Sequence, residues 1–270
     1  MTEESSEMSI GTSGGAEHAS GGRSMDPRMR RLLRHFKPRP LLARLKRPRL
    51  VAALARRGKP VSRSLGCDRG TPIDRFWIDR FIEANADAMY GRCLEVGADR
   101  YVRTYGRPTQ VDILDVDDNN DLATVHGDLC HLPQVPDGTY DCVVLTQVLQ
   151  YIEDLVAALA TCARILAPGG TLLVTVPATQ PLDPFTPPGL ECWRFTPRAL
   201  RWLAAPHFPA QAIEVSSCGN AAAGAAFFVG LAQEDLRQRE LVTDDPMFPC
   251  VATLRATREA TPGTTLDQQA

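Results

Sequence analysis

No stretch of this chain approaches the roughly 20 consecutive apolar residues that a membrane-spanning helix needs, and the first 22 residues, acidic and rich in Ser and Gly, lack the apolar core of a secretory signal. The eight cysteines (67, 93, 130, 142, 162, 192, 218, 250) include no C-x-x-C pair. That spacing argues against a zinc ribbon or a disulfide frame, and it points to reduced thiols in a cytoplasmic protein. There is no Ser-His-Asp order, no H-E-x-x-H and no P-loop spacing, so the common signatures of hydrolases, zinc proteases and P-loop NTPases are missing. Two glycines are missing as well. After the apolar segment Cys93-Leu94-Glu95-Val96, Gly97 is followed by Asp99 and Val102 where G-x-G-x-x-G spacing would place glycines.

Acidic residues are also missing from one segment. Residues 28–60 carry thirteen Lys or Arg and no Asp or Glu, so this stretch holds +13 while the net charge is −2. A basic arm therefore precedes an acidic body. The first 24 residues, eleven of them Gly or Ser, bury too little to offset chain entropy and are expected to form a disordered tail. Residues 25–59 form the arm, with Leu and Phe at helical spacing and prolines 38, 40 and 48 cutting it into short helices. An arm of this kind suits an anionic lipid surface, which would place the protein at the inner face of a membrane, or a protein partner. With one Phe and no Tyr or Trp between 28 and 60, it lacks the rings on which single-stranded nucleic acid stacks, so nucleic acid is disfavoured.

The folded body is expected over 60–258, with a frayed tail over 259–270. A helix start is predicted at Thr71-Pro72, Thr71 capping and Asp74 completing a capping box. Strands are predicted at 92–96, 111–116, within 123–129, at 140–149 and at 171–177, with a short helix over 99–105 and an amphipathic one over 154–166 closed by Ala167-Pro168-Gly169-Gly170. A helix from Thr196-Pro197 to Ala204, a strand near 211–219, a helix over 221–236 and a last strand at 249–258 follow. Apolar runs alternating with amphipathic helices predict an α/β, doubly wound, Rossmann-like, seven-stranded mixed sheet, its last strand antiparallel.

Ligands of such sheets bind beyond the carboxyl ends of the strands. The residues there are Glu95, Gly97 and Asp99 after the first strand, Asp115 and Asp117 after the second, Asp128 and Leu129 after the third, and Gln147 and Tyr151 after the fourth. Asp117 stands about 20 residues beyond Gly97, the distance at which an acid meets a ribose diol, and Asp115 can substitute for it. His131 is placed to serve as general base for a hydroxyl acceptor, with a solvated surface histidine as the plainer reading. Tyr151 could orient an acceptor or simply pack. Asp68, Arg69 and Arg75 flank the first helix, where they would either form a lid gripping a carboxylate or merely cap and solvate the helix. Trp193 and Arg194 would either line the acceptor site or anchor their loop.

The segments "LEVGADR", "LDVDDN", "HGDLCHLP", "YDCVVLTQVLQYIED" and "ARILAPGGTLLVTVP" resemble class I S-adenosylmethionine-dependent methyltransferases over residues 60 to 258. The resemblance is closest to a subgroup that has "DRGTP" before the first motif and "WRFTP" after the fifth strand. It implies S-adenosylmethionine as cofactor, Gly97 and Asp99 at its methionine end, Asp117 at the ribose, and Asp128 with Leu129 at the adenine. The implied reaction is methyl transfer to a small-molecule or saccharide hydroxyl or amine. A non-catalytic scaffold or binding module of the same fold, associated with glycan biosynthesis, is the alternative that the lost glycines favour. A dinucleotide, which needs those glycines for its pyrophosphate, is disfavoured.

Overall fold

The computed structural model describes residues 58–260, so the tail and basic arm read from residues 1–57 lie outside the described residues. Seven strands form one sheet: β1 (Tyr90–Val96), β2 (Arg107–Asp115), β3 (Val125–His126), β4 (Tyr140–Thr146), β5 (Leu166–Pro177), β6 (Ile213–Cys218) and β7 (Val251–Thr257). Their order is β3-β2-β1-β4-β5-β7-β6. The first five pair in parallel, and β7 runs antiparallel to both β5 and β6. The α/β doubly wound, seven-stranded mixed sheet expected from the sequence is therefore the fold, last strand antiparallel included.

The central strands are buried on both faces, which explains their nearly unbroken apolar runs. Alternate residues feed two cores. Leu94, Val143, Leu145, Leu172 and Val174 pack beneath α3 (Leu155–Ile165) and α4 (Pro197–Ala204). Cys93, Cys142, Val144 and Leu173 pack beneath α1 (Asp74–Ala84), α2 (Arg100–Tyr105) and α5 (Ala221–Phe228). All eight cysteines are free. Among the described residues no helix is long and apolar enough to cross a membrane.

Four local expectations are corrected. Thr71 does not cap the first helix: its amide and hydroxyl both donate to Glu234 at 2.9 Å, Pro72 bridges to Ala232, and α1 begins at Asp74 behind Ile73. A distant carboxylate has taken the groups that a local cap would have used. The long helix over 221–236 stops at Phe228, because Gly230 turns the chain at φ +76°. A 3-10 turn (Gln233–Asp235) and the short α6 (Gln238–Val242) follow. The fifth strand begins at Leu166 rather than at 171: Leu166 already pairs with Tyr140, Ala167 to Gly170 bulge out after the helix has ended at Ile165, and the pairing resumes at Thr171 with Cys142. Finally, β2 extends back to Arg107, because polar residues at its start still pair their backbone with Tyr90 and Gly91.

The segment before α1 is strapped to the turn after α5. Val61 N–H donates to Val229 O at 2.7 Å, and Arg69 makes a two-pronged contact with Asp235 at 2.9 Å. A Cβ at Gly230 would lie 2.2 Å from Ser62 O, whereas one at Gly189, also at positive φ, meets open space. Gly230→Ala is expected to cost at least about 2 kcal/mol, since it combines backbone strain with a clash against the strap, and Gly189→Ala about 1 kcal/mol from strain alone. Urea denaturation midpoints of the two variants check this ranking.

Candidate functional site

The turn after β1 is built from one glycine and one buried acid. Gly97 adopts φ +78°, and a Cβ there would meet nothing within 4 Å. The backbone thus presents an open face to whatever lies beyond the sheet edge. Behind the turn, the Glu95 carboxylate accepts from the amides of Tyr101 at 3.1 Å and Val102 at 2.9 Å, which ties the start of α2 to the strand. Burial pushes the Glu95 carboxyl up to about 7, against the pull of these two amides. Tyr101, which stands where the glycine turn is crowded, folds into the core beneath α1, and its hydroxyl accepts from Arg75 at 2.7 Å. Asp99 is engaged by Arg103 of α2.

Beyond β2, Asp115 is held on both oxygens. The Asp117 amide donates to one at 2.9 Å, and Asn120 Nδ2 donates to the other at 2.7 Å. The same Asn120 amide reaches Gly97 O at 3.2 Å, so this buried side chain clamps the first two strand ends together. Asp117 turns to its own loop, accepting from the amide and side chain of Asn119 at 3.0 and 2.8 Å. The short link between β2 and β3, which has no helix, is what brings Asn120 back over Gly97.

A cleft of about 870 Å³ opens across these strand ends. It is toward the upper end of the ~300–1,000 Å³ range of small-molecule sites. Gly97, Asp115, Asp128, Leu129, Gln147 and Tyr151 line it; Glu95, Asp99, Asp117 and His131 do not. Glu95 and Asp99 act on α2 instead. His131 is exposed and pairs its backbone with Asp128. Asp128 accepts from the Cys130 amide at 2.8 Å. Arg69 is committed to Asp235 and Arg75 to Tyr101, so the observed contacts of these arginines are structural. Among the described residues no group of three or more His, Cys, Asp or Glu could hold a metal ion.

Gln147 is the most unusual residue of the cleft. It is not glycine, yet it sits at φ +56°, a conformation costing about 1–2 kcal/mol. Its amide donates to Thr175 O at 2.8 Å and its carbonyl accepts from Gln150 at 3.0 Å, but Nε2 and Oε1 of this half-buried residue, themselves shielded from solvent, have no hydrogen-bond partner among the described residues. Leaving such atoms unmet costs about 1–3 kcal/mol each. Strain and unmet polarity at one cleft residue make Gln147 a candidate contact for a ligand. Tyr151 donates its hydroxyl to Asp183 at 2.8 Å, and burial together with that carboxylate holds the phenol well above its ordinary range.

Sequence reasoning missed three contributors. Asn120 carried no local signal, because its role depends on a turn that the short link creates. Val116 follows Asp115 and is 72% exposed on the cleft wall, an apolar surface for a flat ring. Val148 adds a second apolar wall; the exposure of Val116 was invisible inside an apolar run.

Glu95 makes stability pH-dependent in a defined direction. Its carboxyl is raised to about 7 in the folded chain from about 4.3 unfolded, so the folded state holds more protons between those values. Its contribution to stability falls as pH rises from about 4.5 to 7 and is flat above that. Urea unfolding across pH 4.5–8 is expected to show this decline in the wild type relative to Glu95→Gln; parallel curves would contradict it.

Comparison with known proteins finds partial likenesses. A family model described as a methyltransferase domain matches residues 91–174. A probable S-adenosylmethionine-dependent methyltransferase of Mycolicibacterium smegmatis is 38% identical over 68 residues, which cover 22% of this chain and 26% of that protein. A demethylmenaquinone methyltransferase of Beutenbergia cavernae is 40% identical over 65 residues, 24% of this chain and 27% of that protein. The chain thus matches about a quarter of the length of these curated relatives. Among solved structures, a SAM-dependent methyltransferase from Archaeoglobus fulgidus aligns at 13% identity and a TM-score of 0.46, covering 70% of this chain and 96% of that one. The family match thus falls on residues 91–174, the segment from β1 into β5 whose strand ends border the cleft, and there the chain is similar to a methyltransferase domain.

Proposed function

We propose that the chain transfers a methyl group from S-adenosylmethionine to a hydroxyl or amine of a small molecule or saccharide. The observation that carries this reading is the juxtaposition of the open Gly97 turn with Asp115 across one cleft, the two clamped together by Asn120. The cofactor suits the residues present. A carboxylate has more acceptor positions than the two that Asp115 uses, which leaves capacity for a ribose diol. Val116 and Leu129 offer apolar surface to an adenine, with Asp128 at its edge for the exocyclic amine. The unpartnered amide of Gln147 would meet the polar methionine end over Gly97. Lost glycines matter less here than for a dinucleotide, because no pyrophosphate has to approach the backbone.

When bound, the cofactor supplies an electrophilic methyl on a sulfonium. The protein's part is to hold donor and acceptor in line and in contact, which is where most of such a rate gain arises. Tyr151, with its hydroxyl tied to Asp183, is a positioning group on the acceptor side. His131, exposed and outside the cleft lining, has no comparable placement for the general-base role.

The scaffold reading retains one observation: Asp99 and Tyr101 replace small residues after Gly97. Calorimetry with S-adenosylmethionine and S-adenosylhomocysteine separates the two. Binding of either is expected, weakened about 10- to 100-fold in Asp115→Ala by loss of charge-assisted hydrogen bonds, and little changed in Asp117→Ala. No binding at millimolar concentration by the folded protein would leave the scaffold. The +13 arm is proposed to meet anionic lipid; replacing its arginines with glutamine is expected to lower co-sedimentation with anionic vesicles, and unchanged binding would remove that role.

A further inference from the structure

The loop between β5 and α4 holds several large apolar side chains in solvent. Leu182 is 67% exposed, and Phe185, Leu190 and Trp193 are each more than 40% exposed. Scattered exposed apolar residues are ordinary, but a group on one loop marks a binding surface. This loop is firmly held. Asp183 accepts from Tyr151, and its amide donates to Glu191 at 3.2 Å. Glu191, almost wholly buried, also accepts from Arg194 at 2.8 Å. The Trp193 indole donates to Ile152 O at 2.8 Å and the Cys192 amide to Gln150 O at 2.7 Å. Polar contacts therefore fix a backbone that presents apolar groups outward.

The same loop is a wall of the cleft. Thr186 and Leu190 line it together with Ile152 and Val148. Of the exposed apolar group, Leu190 itself lines the cleft, so what covers Leu190 meets what fills the cleft. Charge narrows the occupant further. Among the described residues, the ionisable carboxyl groups lining the cleft are Asp115, Asp128, Glu153 and Asp154, and no Lys, Arg or His lines it. An anionic head would face repulsion without a counter-charge.

We infer that the methyl acceptor is an amphiphile, with an uncharged or cationic head that enters beside Tyr151 and an apolar chain that lies along Leu182, Phe185 and Leu190. This deepens the methyl-transfer reading and rests on it. In line with that role, Tyr151 and Asp183 join the head's location to the loop that carries the chain.

The test uses the full chain in a Trp202→Phe background, leaving Trp193 as the exposed indole beside the buried Trp77. Octylamine, decylamine, decanol and decyl phosphate are titrated below their micelle-forming concentrations. Trp193 emission is expected to shift blue with the amines and with decanol. Decylamine should bind about tenfold or more tighter than octylamine, since each buried methylene contributes about fourfold. Decyl phosphate should bind at least about tenfold more weakly than decylamine. Leu182→Ser/Phe185→Ser should weaken decylamine at least about fivefold and leave S-adenosylmethionine affinity, measured by calorimetry on the same variant, unchanged. Equal affinity for the two amines, an unaffected double variant, or tighter binding of decyl phosphate would overturn the inference while cofactor binding stands. A dimer in light scattering that the double variant dissolves would reassign the patch to self-association and likewise overturn it. Absence of cofactor binding in the parent chain would instead remove the methyl-transfer reading, and the acceptor with it.

Discussion

The register of β1 against its two parallel neighbours is the constraint on which the site depends. Val96 pairs with Leu114 on one side, and Glu95 pairs with Val144 on the other. Those pairings bring Gly97, Asp115 and Gln147 to adjacent strand ends. A slip of one residue in β1 would turn Glu95 toward the α3 face and Leu94 toward the α1 face, reversing both cores. Packing on both sides of the sheet therefore enforces the alignment that a ligand would use.

The crowded turn is resolved by the same face alternation. Glu95 points to the α1 side and there receives the amides at the start of α2. Tyr101 follows it into that core and leaves the cleft side of Gly97 clear. Where a G-x-G-x-x-G turn relies on repeated glycines to keep the backbone accessible, this turn does so by directing bulk to the opposite face. The cost is a buried carboxylate that favours its protonated form.

The cleft combines an acidic, strained floor with an apolar rim. Gln147 stores strain and unmet hydrogen-bonding capacity at the floor. The loop after β5 supplies the rim, held by Glu191, Arg194 and Asp183 rather than by its own apolar contacts. The acidic floor and the apolar rim are thus separate structural units that meet at Tyr151.

The alternation of apolar runs with amphipathic helices carried the fold class, because a sheet buried on both faces leaves little choice of residue in its central strands. The strand-end positions of Gly97, Asp115, Asp128 and Gln147 were legible for the same reason: ligands meet such sheets at their carboxyl edge. What the sequence could not convey was direction and distance. Thr71 reads as a helix cap until Glu234, far along the chain, takes its hydrogen bonds. Asp115 and Asp117 are equivalent on paper, two residues apart, and the Asn120 clamp together with the turn at Asn119 decided which one lines the cleft. By itself the sequence determined the layers and the order of chemistry along the edge, since those follow from local periodicity. Only the tertiary structure decided which side chains face the cleft, because that depends on contacts between segments that the chain brings together late.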